Sequence, residues 1–505
     1  MFASTQFAAN NQHLAKHWLT VDNTLVLLSY AALLVVVKAT RNPLNKIPGP
    51  WLAKFTDLPL KLAVISGRRV HYVDSLHKRY GPIVRISPQE VAINDVASMK
   101  KIHAIGSGFG KTQWYSDVTA FPRSTLFTMM DRKEHAQRRK LFARGFSKTN
   151  IKQNWEGVMR EKIQLAVAKI SEEGKTGKPV DIMKWWTLMS SDISSHLLFG
   201  ESFRTLEKGE VNEYIRVLTN ALKGNGVGAE LPWLRAIGKW LPSQTTRELW
   251  RTNDLLSDHA QIAVRNMKTS QQSKNVFAHI TQEAEKGEAL TDEDVVCETI
   301  SLFVAGTDTT AVSLTYLLWA VLKEPTLRDA IEEEVAKLDA EYSDADIERD
   351  CPLLNATIEE SLRLYGAAPG ALPRTVPAGG VDLAGFFLPQ NSIVSTQAYS
   401  MHRDSELFKQ ALEFLPERWL AESKNRVSDA GRAAMSPFGA GSRTCLGIHI
   451  AYMDLRLAAA EFFRNCSGSQ CAPSTTEESM EPENFFLIAP RAHRCEILIG
   501  SRSHR

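Results

Sequence analysis

The 505-residue chain has only six cysteines, and no two of them are spaced C-x-x-C. That spacing argues against a structural zinc site, and so sparse a set does not make a disulfide framework. The chain has no internal repeat and no Gly/Ser- or Pro-rich linker of useful length in its middle. Excess charge is small: 60 Lys and Arg stand against 57 Asp and Glu, a net of +3. No long basic stripe with interleaved aromatics is present, which speaks against a nucleic-acid binder. A flavin or nicotinamide fingerprint is missing too. The one near-match to a phosphate loop, GSGFGKT at 106–112, has Ile105 where the pattern needs its first glycine. It reads as a flexible glycine-rich loop. Asn355-Ala356-Thr357 and Asn465-Cys466-Ser467 fit the glycosylation pattern, an accidental match in a cytosolic domain. What remains is ordinary globular composition, 44% hydrophobic and 23% charged, with ample length for a large core.

The long uncharged run is TLVLLSYAALLVVV, Thr24 to Val37. As a helix it spans about 21 Å, short of the roughly 30 Å hydrocarbon core. Starting at Trp18 supplies the missing length. Lys38, Arg41 and Lys46 follow at once and place that side in the cytoplasm. Ile47-Pro48-Gly49-Pro50-Trp51 cannot continue a helix, so the chain turns there. The expected organisation is a short lumenal tail at 1–17, a transmembrane anchor at 18–40, a basic, proline-rich hinge at 41–51 and one large domain at 52–505. A cleaved signal peptide is the alternative, with Val37-Lys38-Ala39 as a passable cleavage site. Against it, the basic cluster lies after the apolar run.

Downstream, Pro82–Ile86 and Glu90–Ile93 read as a hairpin, and helical periodicity then dominates. Short alternating runs return near Val376–Leu388 and Glu496–Ile499. The longest helix runs from Thr291 to Leu322, with Thr291 as N-cap, Asp292, Glu293 and Asp294 at the positive end of its dipole, and Pro325 beyond its end. Its interior, Ala305-Gly306-Thr307-Asp308-Thr309-Thr310, is a poor helix sequence. It reads either as a kink with solvated hydroxyls or as a groove where something sits and receives protons.

Cys445 lies in PFGAGSRTCLG, Pro437 to Gly447. A thiol there is an inert core group, a nucleophile or a metal ligand. The five positions Phe438, Gly441, Arg443, Cys445 and Gly447 form a pattern whose chance occurrence in such a chain is on the order of one in ten thousand. The pattern resembles the cysteine signature of the cytochrome P450 family, the haem-thiolate monooxygenases. The family's other marks follow in order. Ala305–Thr310 resembles its oxygen-activating helix segment, Glu360-Ser361-Leu362-Arg363 its E-x-x-R pair, and Phe414–Trp419 the segment whose arginine joins that pair. His135 and Arg139 resemble the helix, and Pro373-Arg374 the strand, that meet a haem propionate.

The resemblance implies a mainly α fold with small β-sheets, in a single large haem domain after an N-terminal transmembrane helix. It implies haem b (iron protoporphyrin IX) with Cys445 as axial ligand to the iron. Phe438 would pack on the macrocycle and Gly441 would let the loop approach it. His135, Arg139, Arg374 and Arg443 would meet the propionates. Thr309 and Asp308 would deliver protons, and their i, i+1 spacing points them to different sides of the helix. Glu360, Arg363 and Arg418 would form a buried structural network. By position, Phe121 with Phe109, Trp114 and Tyr115, then Phe303 and Val304, then the small-residue segment Gly366–Leu372 with Ala368 and Ala371, would roof the substrate pocket.

The implied reaction inserts one atom of dioxygen into a lipophilic small molecule. Electrons would come from NADPH through a separate NADPH-cytochrome reductase on the same membrane, met by Arg432 and Arg443. The implied location is the endoplasmic reticulum membrane, with the domain facing the cytosol. The style of the amino terminus and FLPERW is similar to fungal secondary-metabolism members. A haem-thiolate isomerase or dehydratase that uses no dioxygen, and a non-enzymatic membrane haem or ligand carrier, are the alternatives.

Overall fold

The computed structural model of the chain describes residues 21–119, 121–211, 224, 226–231, 240, 260–261, 265, 275–277 and 290–500. The tail 1–17, residues 18–20 and most of the helical reading between 212 and 289 lie outside the described residues. Helix α1, Val21–Thr40, carries the apolar run. Val26, Leu27, Leu28, Tyr30 and Leu33 are all more than half exposed, so the domain does not cover them.

The segment 41–51 is docked on the domain. Its Leu44 and Ile47 are buried beside Ile83, Val91 and Ile93. Asn42 Nδ2 donates to Pro88 O at 2.9 Å, and Arg85 Nη1 donates to Asn45 Oδ1 at 2.7 Å. The latter residues lead into a five-stranded sheet. Its first strands, β1 Ile83–Arg85 and β2 Glu90–Ile93, make the expected antiparallel hairpin. β3, Gly110–Lys111, comes from the glycine-rich loop. That loop is therefore partly ordered by strand pairing, where the sequence suggested only flexibility. Backbone groups that would otherwise be solvated are satisfied across the sheet.

The helical layers follow. α2, Arg132–Ala143, starts at Asp131, whose side chain accepts from the N–H groups of Lys133 and Glu134. α3, Ile182–Phe199, ends at Gly200 in the left-handed region. α4, Asp292–Leu322, begins with a full capping box: Thr291 Oγ1 accepts from Asp294 N, and Asp294 Oδ2 accepts from Thr291 N. By length and composition α4 could cross a membrane, yet most of it is buried within the domain. It packs along α3 through the main core, with Tyr316, Leu317 and Leu318 fully buried. α5, Pro352–Tyr365, opens with proline at its first turn, where no N–H is needed. β4, Ala371–Thr375, and β5, Ile393–Gln397, complete the sheet, whose order is β1-β2-β5-β4-β3. β2 and β5 are parallel and the other neighbours antiparallel. Val381–Leu383 pairs with Phe386–Leu388 in a separate hairpin, and Glu496–Leu498 lies in a small three-stranded sheet, both within the alternating runs. Finally α6, Ile448–Asn465, runs on directly from the cysteine loop into the core.

Candidate active site

The loop before α6 fixes the thiol by its backbone. Cys445 N donates to Phe438 O at 2.8 Å, closing the loop on itself. Gly441 has φ +66, and a Cβ there would collide with the carbonyl of His103. Gly441 is thus required by the turn and by close packing, and it does not line the cavity that the thiol faces. Cys445 opens into a cavity of about 390 Å³, walled by this loop, α4, α6, the segment around Phe121 to Phe127 and β4. Burial pushes the thiol pKa up, against the Gly447 backbone and the positive charge of Arg139, both of which favour thiolate. Phe438 borders the same cavity with its ring 5.3 Å from that of Tyr452.

Cations gather on one flank. Arg139 and His135, one turn apart on α2, border the cavity with Arg374 of β4, Arg443 of the cysteine loop and Lys111 of β3. Arg374 is buried and, among the described residues, bonds only neutral groups, the Tyr115 hydroxyl and Pro373 O. Arg443 donates to the carbonyls of Met129, Met130 and Asp131 at 2.8, 3.4 and 3.5 Å. Lys111 Nζ donates to Phe127 O and lies 4.3 Å from the Tyr115 ring centre. None of these four cations has a carboxylate partner among the described residues. Burial and mutual repulsion push Arg443 down to about 10 and Lys111 well down, and hold His135 near 3, hence neutral. Such a cluster is stable only against an anionic ligand.

Haem answers that demand with two propionates. The thiol side fits as well. Among the described residues no group of three or more His, Cys, Asp or Glu could hold a bare metal ion. A lone thiol suits a metal whose other donors come from a macrocycle. The residues present therefore fit the group.

On α4, Ser301, Ala305 and Thr309 face the cavity at helical spacing. The Thr309 hydroxyl donates to Ala305 O one turn back. Asp308 does not border the cavity, and its Oδ2 is buried without a hydrogen-bond partner among the described residues. Burial pushes Asp308 up to about 7. Glu360, Arg363 and Arg418 are all fully buried together: Arg363 Nη2 to Glu360 Oε1 is 2.7 Å and Arg418 Nε to the same oxygen 3.1 Å. Trp419 Nε1 adds a bond to Glu360 Oε2 at 2.8 Å.

Of the expected pocket residues, Phe121, Tyr115, Val304 and Ala368 border the cavity. Phe303 does not. It is fully buried, its ring 5.6 Å from that of Phe203, because i, i+1 on a helix turns it about 100° from Val304. Ala371 does not either. Alternation along β4 puts Leu372 and Arg374 on the cavity side and Ala371 and Pro373 on the other. Phe109 packs behind the sheet, and Trp114 borders the cavity on that other side. Arg443 turns inward, which leaves Arg432 as the exposed one of the pair proposed to meet a reductase.

Lys111 and Glu298 are among the cavity residues that escaped the sequence reading. Lys111 was hidden in a loop dismissed as a decoy. Glu298 lies three turns before Thr309, buried, accepting from Leu126 N at 2.9 and 3.1 Å and from Arg138 Nη1 at 2.9 Å. A glutamate in so apolar a helix was the available signal.

A mainly α domain that presents one thiol, a cation cluster without acids and a threonine to a single cavity defines the haem-thiolate class. A family profile for cytochrome P450 matches residues 48–495. Cytochrome P450 monooxygenase cypX of Dothistroma septosporum is 40% identical over 481 residues, 93% of each chain. The monooxygenase stcB of Emericella nidulans is 40% identical over 471 residues, 90% of this chain and 89% of its own. The monooxygenase aflV of Aspergillus parasiticus is 38% identical over 470 residues, 90% and 91% respectively. This chain belongs to the cytochrome P450 family. It is a haem-thiolate monooxygenase, an oxidoreductase.

Proposed function

We propose that the Cys445 thiolate would hold haem b through its iron and that the enzyme oxidises a lipophilic small molecule of fungal secondary metabolism. The observation that carries this is the shared cavity: Cys445, Thr309 and the acid-free cations all border it. His135, Arg139, Arg374 and Arg443 would hold its propionates, with Lys111 beside them on the same flank, and Phe438 would pack on the macrocycle. When bound, haem supplies reductive activation of dioxygen, and a thiolate ligand favours cleavage of the O–O bond. Thr309 presents its oxygen to the cavity and passes protons there. Asp308, on the far side of α4 and titrating near 7, gives and takes protons through water. The apolar walls from Phe121, Val304 and Leu372 exclude bulk water from the substrate.

α1 anchors the protein in the endoplasmic reticulum membrane, with 41–51 joining it to a cytosol-facing domain 52–505. Its exposed apolar side chains and the basic residues after them support that placement. NADPH reduces the enzyme through a separate flavin-containing reductase. Cys445→Ala tests the ligand assignment: the thiolate-type carbon monoxide spectrum and turnover both disappear. A retained thiolate spectrum refutes it. Incorporation of labelled dioxygen, with reductase and NADPH present, separates a monooxygenase from a haem-thiolate isomerase.

A further inference from the structure

Where α1 meets the domain there is a groove of about 550 Å³, walled by the end of the helix and by two turns, 88–89 and 389–392. Hydrogen bonds hold the walls: Asn42 Nδ2 donates to Pro88 O at 2.9 Å, Asn391 N to Val376 O at 3.0 Å and Ser392 N to Pro389 O at 3.2 Å. Lys38 and Arg41 border the groove, and among the described residues no carboxylate does. Neither cationic side chain has a hydrogen bond or ion pair among the described residues. The last carbonyls of α1 would attract positive charge, but they are taken. Thr40 Oγ1 donates to Val36 O at 2.9 Å and Val37 O at 3.1 Å, and Asn45 Nδ2 to Ala39 O at 2.7 Å and Thr40 O at 3.0 Å. The two charges are therefore left over for an anion, and a guanidinium suits the oxygens of a phosphate. The neighbouring side chains are amides. Gln89, Gln390 and Asn391 each present a carboxamide without a partner among the described residues. A carboxamide both donates and accepts, which suits hydroxyl groups, whereas an ammonium would find no counter-charge. One side of the groove is apolar. Val37 borders it and shares a helix face with Tyr30, Leu33 and Leu34, all exposed.

We propose that this groove binds the headgroup of an anionic, hydroxyl-bearing phospholipid. Lys38 and Arg41 hold the phosphate, the three amides meet the polyol, and an acyl chain runs along Val37, Leu33 and Tyr30. This rests on α1 spanning the membrane. A helix of 20 residues is then about 30 Å long, the thickness of the hydrocarbon layer, so residues 38–41 stand among the headgroups.

The test places haem-loaded, full-length enzyme in nanodiscs of phosphatidylcholine with equal small fractions of phosphatidylinositol and phosphatidylserine. The protein is released into mild detergent, and the lipids that stay bound are read by native mass spectrometry. Both anionic lipids carry one net negative charge, and only phosphatidylserine carries an ammonium. The expected result is retention of phosphatidylinositol over phosphatidylserine by roughly 3- to 10-fold, the size of one hydrogen bond. Lys38→Gln and Arg41→Gln each lower that retention roughly 5-fold, the size of one basic residue at a membrane surface. Gln390→Ala with Asn391→Gly leaves the charges in place and brings the preference towards unity; glycine accepts the φ of 65 at that position, so the turn survives. Lys46→Gln removes an exposed cation of the same segment that does not border the groove, and retention stays as in wild type. Equal retention of the two anionic lipids, or a loss in Lys46→Gln as large as in Lys38→Gln, overturns the proposal in favour of diffuse attraction. Displacement of phosphatidylinositol by millimolar inorganic phosphate overturns the lipid as the source and assigns the groove to a free anion. If the full chain does not enter the discs at all, the reading of α1 as an anchor has failed instead.

Discussion

Thr309 and Asp308 are adjacent in sequence and unlike in setting. The threonine borders the cavity, while one carboxylate oxygen of the aspartate is buried without a hydrogen bond among the described residues. Thr309→Ala should keep haem and substrate binding and waste NADPH electrons as hydrogen peroxide; unchanged coupling would move the proton function elsewhere. Asp308 carries a signature in stability. Its pKa rises from 3.8 to about 7 on folding, so between those values the folded state binds the proton that the unfolded state has lost. Stability therefore falls as pH rises from about 4 to 7, and then levels off. Asp308→Asn escapes that fall, so its melting temperature relative to wild type should climb between pH 5 and pH 8. An offset independent of pH would mean that the carboxyl is not held neutral. The acid–threonine pair was picked out by the resemblance of Ala305–Thr310 to the family's helix segment; the poor helix sequence alone left a kink and a groove equally open. The protonation of Asp308 was not, since it depends on what seals the carboxylate.

Elements were easier to read than their faces. The long helix, its Thr291 cap, the hairpin and the strand with Arg374 all lie where the sequence puts them. Phe303 and Ala371 fell on the wrong side because one residue on a helix or strand changes the face. Only the packing of α3 on α4, and of β4 between β3 and β5, decides which face meets the cavity. Three-dimensional pairing also made the E-x-x-R motif informative. On a surface, Glu360 and Arg363 would contribute under about 1 kcal/mol. Here both are fully buried, and Arg418, 58 residues from Glu360, shares the same carboxylate. Glu360→Ala leaves two buried guanidinium groups without their counter-charge. The expected loss is about 3–5 kcal/mol, measured by denaturant unfolding. Glu360→Gln, which keeps acceptor geometry without charge, should lose less. A loss under about 1 kcal/mol in Glu360→Ala would show that the network is held together by its carbonyl contacts alone.

The domain begins earlier in the chain than the composition suggests. The basic, proline-rich segment looks like a hinge, yet Asn42, Leu44, Asn45 and Ile47 are built into the sheet side of the domain. The family match begins at residue 48, but the packing begins several residues earlier. Two truncations separate anchor from domain. Deleting residues 1–40 removes the exposed apolar helix and leaves those contacts in place. It should release the protein from membranes with haem content kept and only a small fall in melting temperature, from the loss of Ala39 and its hydrogen bond with Asn45. Deleting residues 1–51 also strips Leu44 and Ile47, each contributing about 1.5–3 kcal/mol by burial, and takes Asn45 from the buried Arg85. That protein should melt well below the first, or fail to retain haem. Equal melting temperatures would restore the free hinge. The same packing bears on the signal-peptide alternative. Ala39 is 5% exposed, and its carbonyl accepts from Asn45 Nδ2 at 2.7 Å, so a protease acting there would have to unpack it from the folded domain. Amino-terminal sequencing of the protein from its native membrane should find residues 1–39 still attached; a chain beginning at Thr40 would mean that cleavage precedes folding and that α1 is a leader.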